Sequence, residues 1–198
     1  GLLLARSYVI IIACHTSAMF SELEEMKGRK FKNHEIENSS LILDYLGKKF
    51  TGHDFAVSHQ IVQTIARNIM LQMDGFDSVI MPIISQKPPL LGKIIPSRAA
   101  EIRNSIIINL NLGWIFQIET LRNKILNRLI PQSLWYAPDA LLQNITGQPA
   151  ISVPSYWTED GLPLGVQFVG RYGEENNLID IASQIEEASP WMNRLPNF

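Results

Sequence analysis

The chain of 198 residues predicts an α/β fold, and three observations carry that prediction. Val57, Ile61, Ile65 and Ile69 recur every four positions, with Val62, Ala66 and Met73 widening the same stripe, which is the pattern of an amphipathic helix. Val79-Ile80-Met81-Pro82 is a short apolar run bounded by turn residues, which reads as a buried strand. Leu164 to Val169 alternates, with Leu164, Val166 and Phe168 on one side and Gln167 on the other, and it follows the turn dipeptide Asp160-Gly161. Helices come first and strands later, with no internal repeat or low-complexity linker. A single domain over residues 1–198 is expected.

Taken in order, the first helix is expected from about Leu3 to Met26, ending at Gly28, where glycine takes the left-handed conformation that closes a helix. The apolar opening is interrupted by Arg6. The uninterrupted piece from Tyr8 to Cys14 is far shorter than the ~20 residues that span a bilayer, so a buried helix is expected rather than a targeting or membrane segment. The abrupt apolar start without methionine reads as a sequence cut from something longer. Arg29 to Asn33 is a polar loop, and a short helix follows from about Ile36 to Leu46 with Gly47 as its stop signal. The helix carrying the Val57 to Ile69 stripe is capped by Asp54, ends at Gly75, and should lay its apolar face on a sheet.

After the first strand, Lys87-Pro88-Pro89 and Gly92 mark a loop. The apolar stretch Ile106 to Ile118 fits more than one state and stays unassigned. Glu119 to Leu129 reads as helix, with Leu121, Ile125 and Leu129 spaced by four and Pro131 as terminator. Ile151-Ser152-Val153 reads as a buried strand antiparallel to Leu164–Val169. Gly165 and Gly170 lack side chains, so helices or a neighbouring loop can approach the sheet there. Glu174 and Glu175 suit a first helical turn, where negative charge complements the helix dipole. Leu178, Ile181, Ala182 and Ile185 form its stripe, and Pro190 ends it.

Composition excludes several classes of function. Hydrophobic residues make up 46% and charged residues 18%, which is globular and somewhat apolar rather than disordered. The net charge is -2, with dispersed lysine and arginine, so no electrostatic footprint for nucleic acid is present. The single cysteine, Cys14, cannot form an internal disulfide, and a reducing cytoplasm is the expected compartment. His53 and His59 lie six positions apart and His15 stands alone, which matches no zinc motif. No metal or cofactor is expected.

The segment Leu141 to Arg171 carries the family likeness. Asn144-Ile145-Thr146-Gly147-Gln148-Pro149-Ala150-Ile151-Ser152-Val153-Pro154, followed by Gly161-Leu162-Pro163 and Gly165-Val166-Gln167, closely resembles the C-terminal part of the amidase signature family. Glu186 with Pro190-Trp191 resembles that family's closing helix, and Asp77 to Ile83, with Pro88-Pro89 and Gly92 after it, is similar to an upstream family strand and its loop. Two departures stand out. Asp139-Ala140 replaces a common phenylalanine-threonine pair, and Ile83 stands where threonine is common.

The resemblance implies the C-terminal portion of the amidase-signature fold, a mixed β-sheet flanked by helices. It also implies hydrolysis of carboxamide C–N bonds by a nucleophilic serine, a bridging serine and a neutral lysine. Those three belong to the family's N-terminal half, which has no counterpart here, so no catalytic residue is assigned and this chain alone is expected to be inactive. Ser39-Ser40 is the one serine pair. It lies in Glu37-Asn38-Ser39-Ser40-Leu41, without glycines to turn backbone N–H groups toward an oxyanion, and reads as a helix cap or surface turn. Lys27, Lys30, Lys48 and Lys49 sit in polar contexts where a charged lysine is expected, and a serine without a placed base does not hydrolyse amides.

Strand ends and the loops after them line pockets in α/β folds. Met81 and Ile83, with Asn144 and Gln148, are therefore the candidate substrate-binding residues, walling an acyl or leaving-group pocket. The alternative for Asn144 and Gln148 is that their amides hydrogen-bond buried backbone at a sharp turn.

Three functional readings remain: the C-terminal part of an amidase, a non-catalytic remnant or interaction module, and the A subunit of a tRNA-dependent amidotransferase. The Gly147-Gln148-Pro149 glutamine and Arg171-Tyr172-Gly173-Glu174-Glu175 look more like stand-alone amidases. Expected partners are the missing N-terminal half or a second copy, and a small-molecule amide substrate. Neither nucleic acid nor membrane is expected as a partner.

Overall fold

Helix α1 spans Leu2–Lys27 and closes at Gly28, whose φ of 70° lets its N–H reach the Glu25 carbonyl. That is the left-handed stop the sequence predicts. Its buried residues include Ala5, Val9, Ala13, Ser17 and Phe20, a stripe of helical period. The computed structural model describes residues 1–85, 87, 90, 97–134 and 140–194. The chain divides into two compact units, one of Gly1–Val62 with Pro88–Ser133 and one of Gln63–Lys87 with Leu134–Phe198.

The first unit is helical. The α1 stripe packs on α2 (Asn38–Gly47), and with α4 (Arg98–Asn109) they enclose a core of Ala13, Phe20, Leu41, Ile42, Leu46, Ile107, Ile108 and Phe116. Gly47 lies at the α1–α2 contact, where a Cβ would collide with the Ala13 carbonyl oxygen. Its glycine therefore serves close approach. The following residue, Lys48, is right-handed, so the stop signal expected at Gly47 is not a left-handed turn.

The stretch Ile106–Ile118 resolves into the end of α4, a left-handed Asn111 with φ 51°, and a 3-10 turn over Leu112–Gln117. Helix α5 runs Glu119–Leu134. Pro131, expected as its terminator, falls inside its last turn, and the helix ends three residues after it. Arg6, the charge that interrupts the apolar opening, donates to the Asn123 side chain at 2.8 Å. By length and composition α1 is long and apolar enough to cross a membrane, with 33% of its most apolar window buried, and the core helix of a globular unit passes the same test.

Helix α3 covers Gly52–Gln72. Its cap is Thr51 rather than the expected Asp54. The Thr51 hydroxyl accepts from the Asp54 N–H at 3.1 Å, and the Asp54 carboxylate accepts from the Thr51 N–H at 2.8 Å, a reciprocal capping box.

The second unit holds the sheet, formed by β1 (Ser78–Pro82), β2 (Ala150–Trp157) and β3 (Pro163–Gly170) in the order β1-β3-β2. Both pairings are antiparallel, so the α/β class holds, while the mixed sheet expected is, among the described residues, antiparallel. The β2–β3 hairpin forms as predicted, turning through Gly161 at φ 79°. Strand β1 is a half-exposed edge rather than a buried strand, with Ile80 65% exposed. Helix α7 (Glu175–Ala188) packs Leu178, Ile181, Ala182 and Ile185 against Ile151, Val153, Val166 and Phe168. Leu178 lies 3.2 Å from where a Cβ on Gly170 would stand, the close approach expected there. The loop expected at Pro88-Pro89 and Gly92 lies outside the described residues, as does Asp139.

Candidate functional site

Antiparallel register decides which side chains share a face, because directly paired residues point the same way. Ile151 pairs with Phe168 and Val153 with Val166, and this face is covered by α7. Met81 pairs with Gln167, and Ser152 pairs with the same Gln167, so these three form a row on the opposite face. Val79, Val169 and Ala150 form the next row. Beyond the end of β1, Ile83 reaches Gly165, where a Cβ would come within 3.1 Å of the Ile83 Cδ1 and 2.7 Å of the Ser152 Oγ. A glycine is required there for Ile83 and Ser152 to lie where they do.

Helix α6 (Ala140–Thr146) borders this face. The Gln143 Nε2 donates weakly to the Met81 Sδ at 3.5 Å, and its Oε1 is buried with no hydrogen-bond partner among the described residues. Asn144, the next residue, is exposed. Gly147 ends α6 with φ 71°, its N–H bonding the Gln143 carbonyl at 2.9 Å. Gln148 follows and is buried. Its Nε2 donates to the Gly170 carbonyl at 3.0 Å and contacts the Met73 Sδ at 3.3 Å, while its N–H bonds the Thr146 hydroxyl at 3.3 Å. The Gln148 amide is thus committed to backbone at the α6–β2 turn.

Met81 and Ile83 therefore share a face of the sheet. Asn144 stands on the bordering helix, and Gln148 lies at the turn where α6 meets the sheet. Ser152, Gln167 and Gln143 belong to the same surroundings and are not among the predicted site residues. Gln167 was legible in part, since a lone amide in an alternating apolar strand marks the strand's other side. Ser152 needs the hairpin register, and Gln143 needs a helix that the sequence did not signal.

The remaining polar clusters have structural explanations. Ser39 and Ser40 occupy the first turn of α2, where the Ser39 hydroxyl donates to Glu37 at 3.4 Å. Among the described residues no group of three or more histidine, cysteine or acidic side chains is arranged to hold a metal. A groove of about 540 Å³ runs beside α5, lined by Glu119, Thr120, Asn123, Lys124 and Asn127. It lies in the first unit and includes none of the predicted site residues. Burial, and then the charge of Asp54, push the Cys14 thiol up, away from the thiolate that a nucleophile requires.

The family model described as Amidase matches residues 116–179, a span that includes α6, the hairpin and the start of α7. The chain is 27% identical to a 6-aminohexanoate-cyclic-dimer hydrolase of Pseudomonas sp. (strain NK87) over 173 residues, covering 87% of this chain and 31% of that protein. It is 28% identical to the protein of the same name from Paenarthrobacter ureafaciens over 175 residues, with the same coverage. The chain thus spans about a third of the length of these relatives. A solved 6-aminohexanoate cyclic dimer hydrolase shares its fold at a TM-score of 0.72 and 24% identity, over 95% of this chain and 35% of that one. Sequence motif, family match and shared fold coincide on the hairpin and its flanking helices, and it is there that the chain is similar to the amidase signature family.

Proposed function

We propose that the protein of which this chain is part hydrolyses carboxamide C–N bonds, and that this chain supplies a wall of its substrate pocket rather than its nucleophile. The observation that carries the reading is the face formed by Met81 and Ile83 with Gly165, Gln167 and Ser152, the last three lying in the segment that matches the family model. It joins apolar side chains for an acyl or amine substituent to amide and hydroxyl groups able to hydrogen-bond a carboxamide. Asn144 on the bordering helix completes the wall. Gln148 holds its backbone in place.

In this reading a serine supplied by sequence outside the chain attacks the amide carbon through its Oγ. A bridging serine and a neutral lysine take its proton and pass it to the departing nitrogen, and the C–N bond breaks to leave an acyl-serine and a free amine or ammonia. Water then attacks the acyl carbon, releasing the acid and restoring the serine hydroxyl. The companion polypeptide is the N-terminal half of the amidase or a second copy of this chain. Exposed apolar side chains support a covered surface: Leu2 and Met26 of α1, and Ile80 of β1, are 70%, 78% and 65% exposed.

The test joins this chain to its upstream coding sequence and assays release of amine or ammonia from linear and cyclic amides. Hydrolysis by the joined protein, with none by the chain alone, is the expected result. If a native start codon lies just before Gly1 and the stable chain is inactive, the non-catalytic module is the correct reading. Activity confined to transamidation of a charged tRNA would assign the amidotransferase subunit instead.

A further inference from the structure

Strand β1 carries Met81 and leads into Ile83, yet it is a five-residue strand that, among the described residues, pairs only with β3. A slip of one residue would turn Met81 and Ile83 to the other face. The ladder begins at Ser78 opposite Gly170, and the next position on β3's side is Arg171. Its Nε donates to the Phe76 carbonyl at 3.0 Å, and its Nη2 donates to the Asp77 Oδ1 at 3.0 Å. Its Nη1 lies 3.6 Å from the Glu174 Oε1. From α7, the Asn177 Nδ2 donates to the Asp77 carbonyl at 3.0 Å.

Two successive residues entering β1 are thereby tied to the exit of β3 and the first turn of α7. A lone exposed ion pair would contribute little. Here one planar guanidinium bonds a backbone carbonyl and a carboxylate together, a fork that fixes direction as well as distance. We propose that Arg171 is a positioning residue: it clamps the start of β1 in register so that Met81 and Ile83 present their side chains to the substrate. The inference rests on the reading of those two residues as pocket wall.

Two measurements separate the clamp from the wall. Hydrogen exchange on the full chain compares β1 amides with α1 amides in Arg171→Ala and Arg171→Lys. Loss of the clamp is expected to speed β1 exchange roughly 10-fold in R171A and about 3-fold in R171K, with α1 unchanged. In the joined amide-hydrolysing protein, R171A is expected to raise KM about 10-fold while kcat stays within about 3-fold, and R171K should fall between.

Unchanged β1 exchange would overturn the clamp and leave the wall reading standing. Faster β1 exchange with unchanged KM would overturn the positioning role together with the assignment of Met81 and Ile83 to the wall. Should R171A fail to fold, R171K decides: wild-type exchange and wild-type KM in that variant would overturn the proposal, because the planar fork would then be unnecessary.

Discussion

Gln148 shows how a family-marking residue can act through the backbone. Its side chain is 7% exposed, and its amide satisfies the Gly170 carbonyl. Substituting leucine leaves that acceptor without its donor, and a buried group left unpaired costs about 1–3 kcal/mol. Gln148→Leu is therefore expected to lower the urea midpoint by that equivalent, whereas a residue that touched only substrate would leave it unmoved. The role of an amide at a sharp turn was legible in Gly147-Gln148-Pro149. The partner was not, since Gly170 lies on a strand whose register no local signal sets. Gly47 makes a second case. A methyl there would meet the Ala13 carbonyl carbon at 2.7 Å and the Ser17 Cβ at 2.9 Å, so Gly47→Ala must push α1 from α2. A loss of about 1–3 kcal/mol, the usual range for overpacking, is expected in thermal or urea unfolding.

Elements with strong period and clear punctuation were legible to within a few residues: α1 by Gly28, α7 by its stripe and Pro190, and the hairpin by Asp160-Gly161. Where two signals competed, one of them failed. Asp54 is a good cap residue and Thr51 is too. Their spacing of three makes them the two halves of one box, with the hydroxyl at the cap and the carboxylate inside the first turn. Thr51→Ala is expected to cost about 1 kcal/mol and to shorten α3 at its start, measurable as lost amide protection there.

The same box predicts a pH dependence. The Thr51 N–H, and secondarily its hydroxyl, hold the Asp54 carboxyl below its usual value. A carboxylate with a depressed folded pKa stabilises the fold fully above its unfolded pKa of about 3.9, and that contribution is lost as pH falls through the lower folded value. Stability measured on descending pH should therefore fall below about pH 4, and the Asp54→Asn variant should show a smaller fall. Glu35 works in the same direction, held down by the Arg29 guanidinium, the Lys32 N–H and the Lys27 ammonium, so Asp54→Asn diminishes the acid loss without abolishing it. The Ile106–Ile118 stretch was illegible for a different reason. A short apolar run fits a buried strand and a buried helix alike, and the break falls at Asn111, whose left-handed backbone is allowed to asparagine but not signalled by it.

At the scale of the molecule, the likeness to the family was legible in one contiguous segment because glycine and proline at fixed offsets dictate backbone shape. The site was legible only as far as strand ends could indicate it. In the proposed reading Met81 and Ile83 form one wall of a pocket, and a pocket needs an opposing wall that carries the nucleophile and base. The surface bears the same mark. The first unit leaves Leu2, Leu3 and Met26 largely exposed, and the second leaves Leu71 and Ile80 so. The β1 and β2 strands each leave one edge unpaired among the described residues. Apolar side chains and open edges of this kind drive association. Expressed alone, the chain is expected to scatter light at a mass above the 22.4 kDa of one copy, and addition of the companion segment should convert it to a complex of defined mass. The two proposed partners differ in that second step: a self-sufficient dimer keeps its mass and ignores the companion, whereas a chain built to meet the catalytic half exchanges self-association for the heterologous contact. A monodisperse monomer that binds neither would remove the case for a covered surface and favour the autonomous, non-catalytic module.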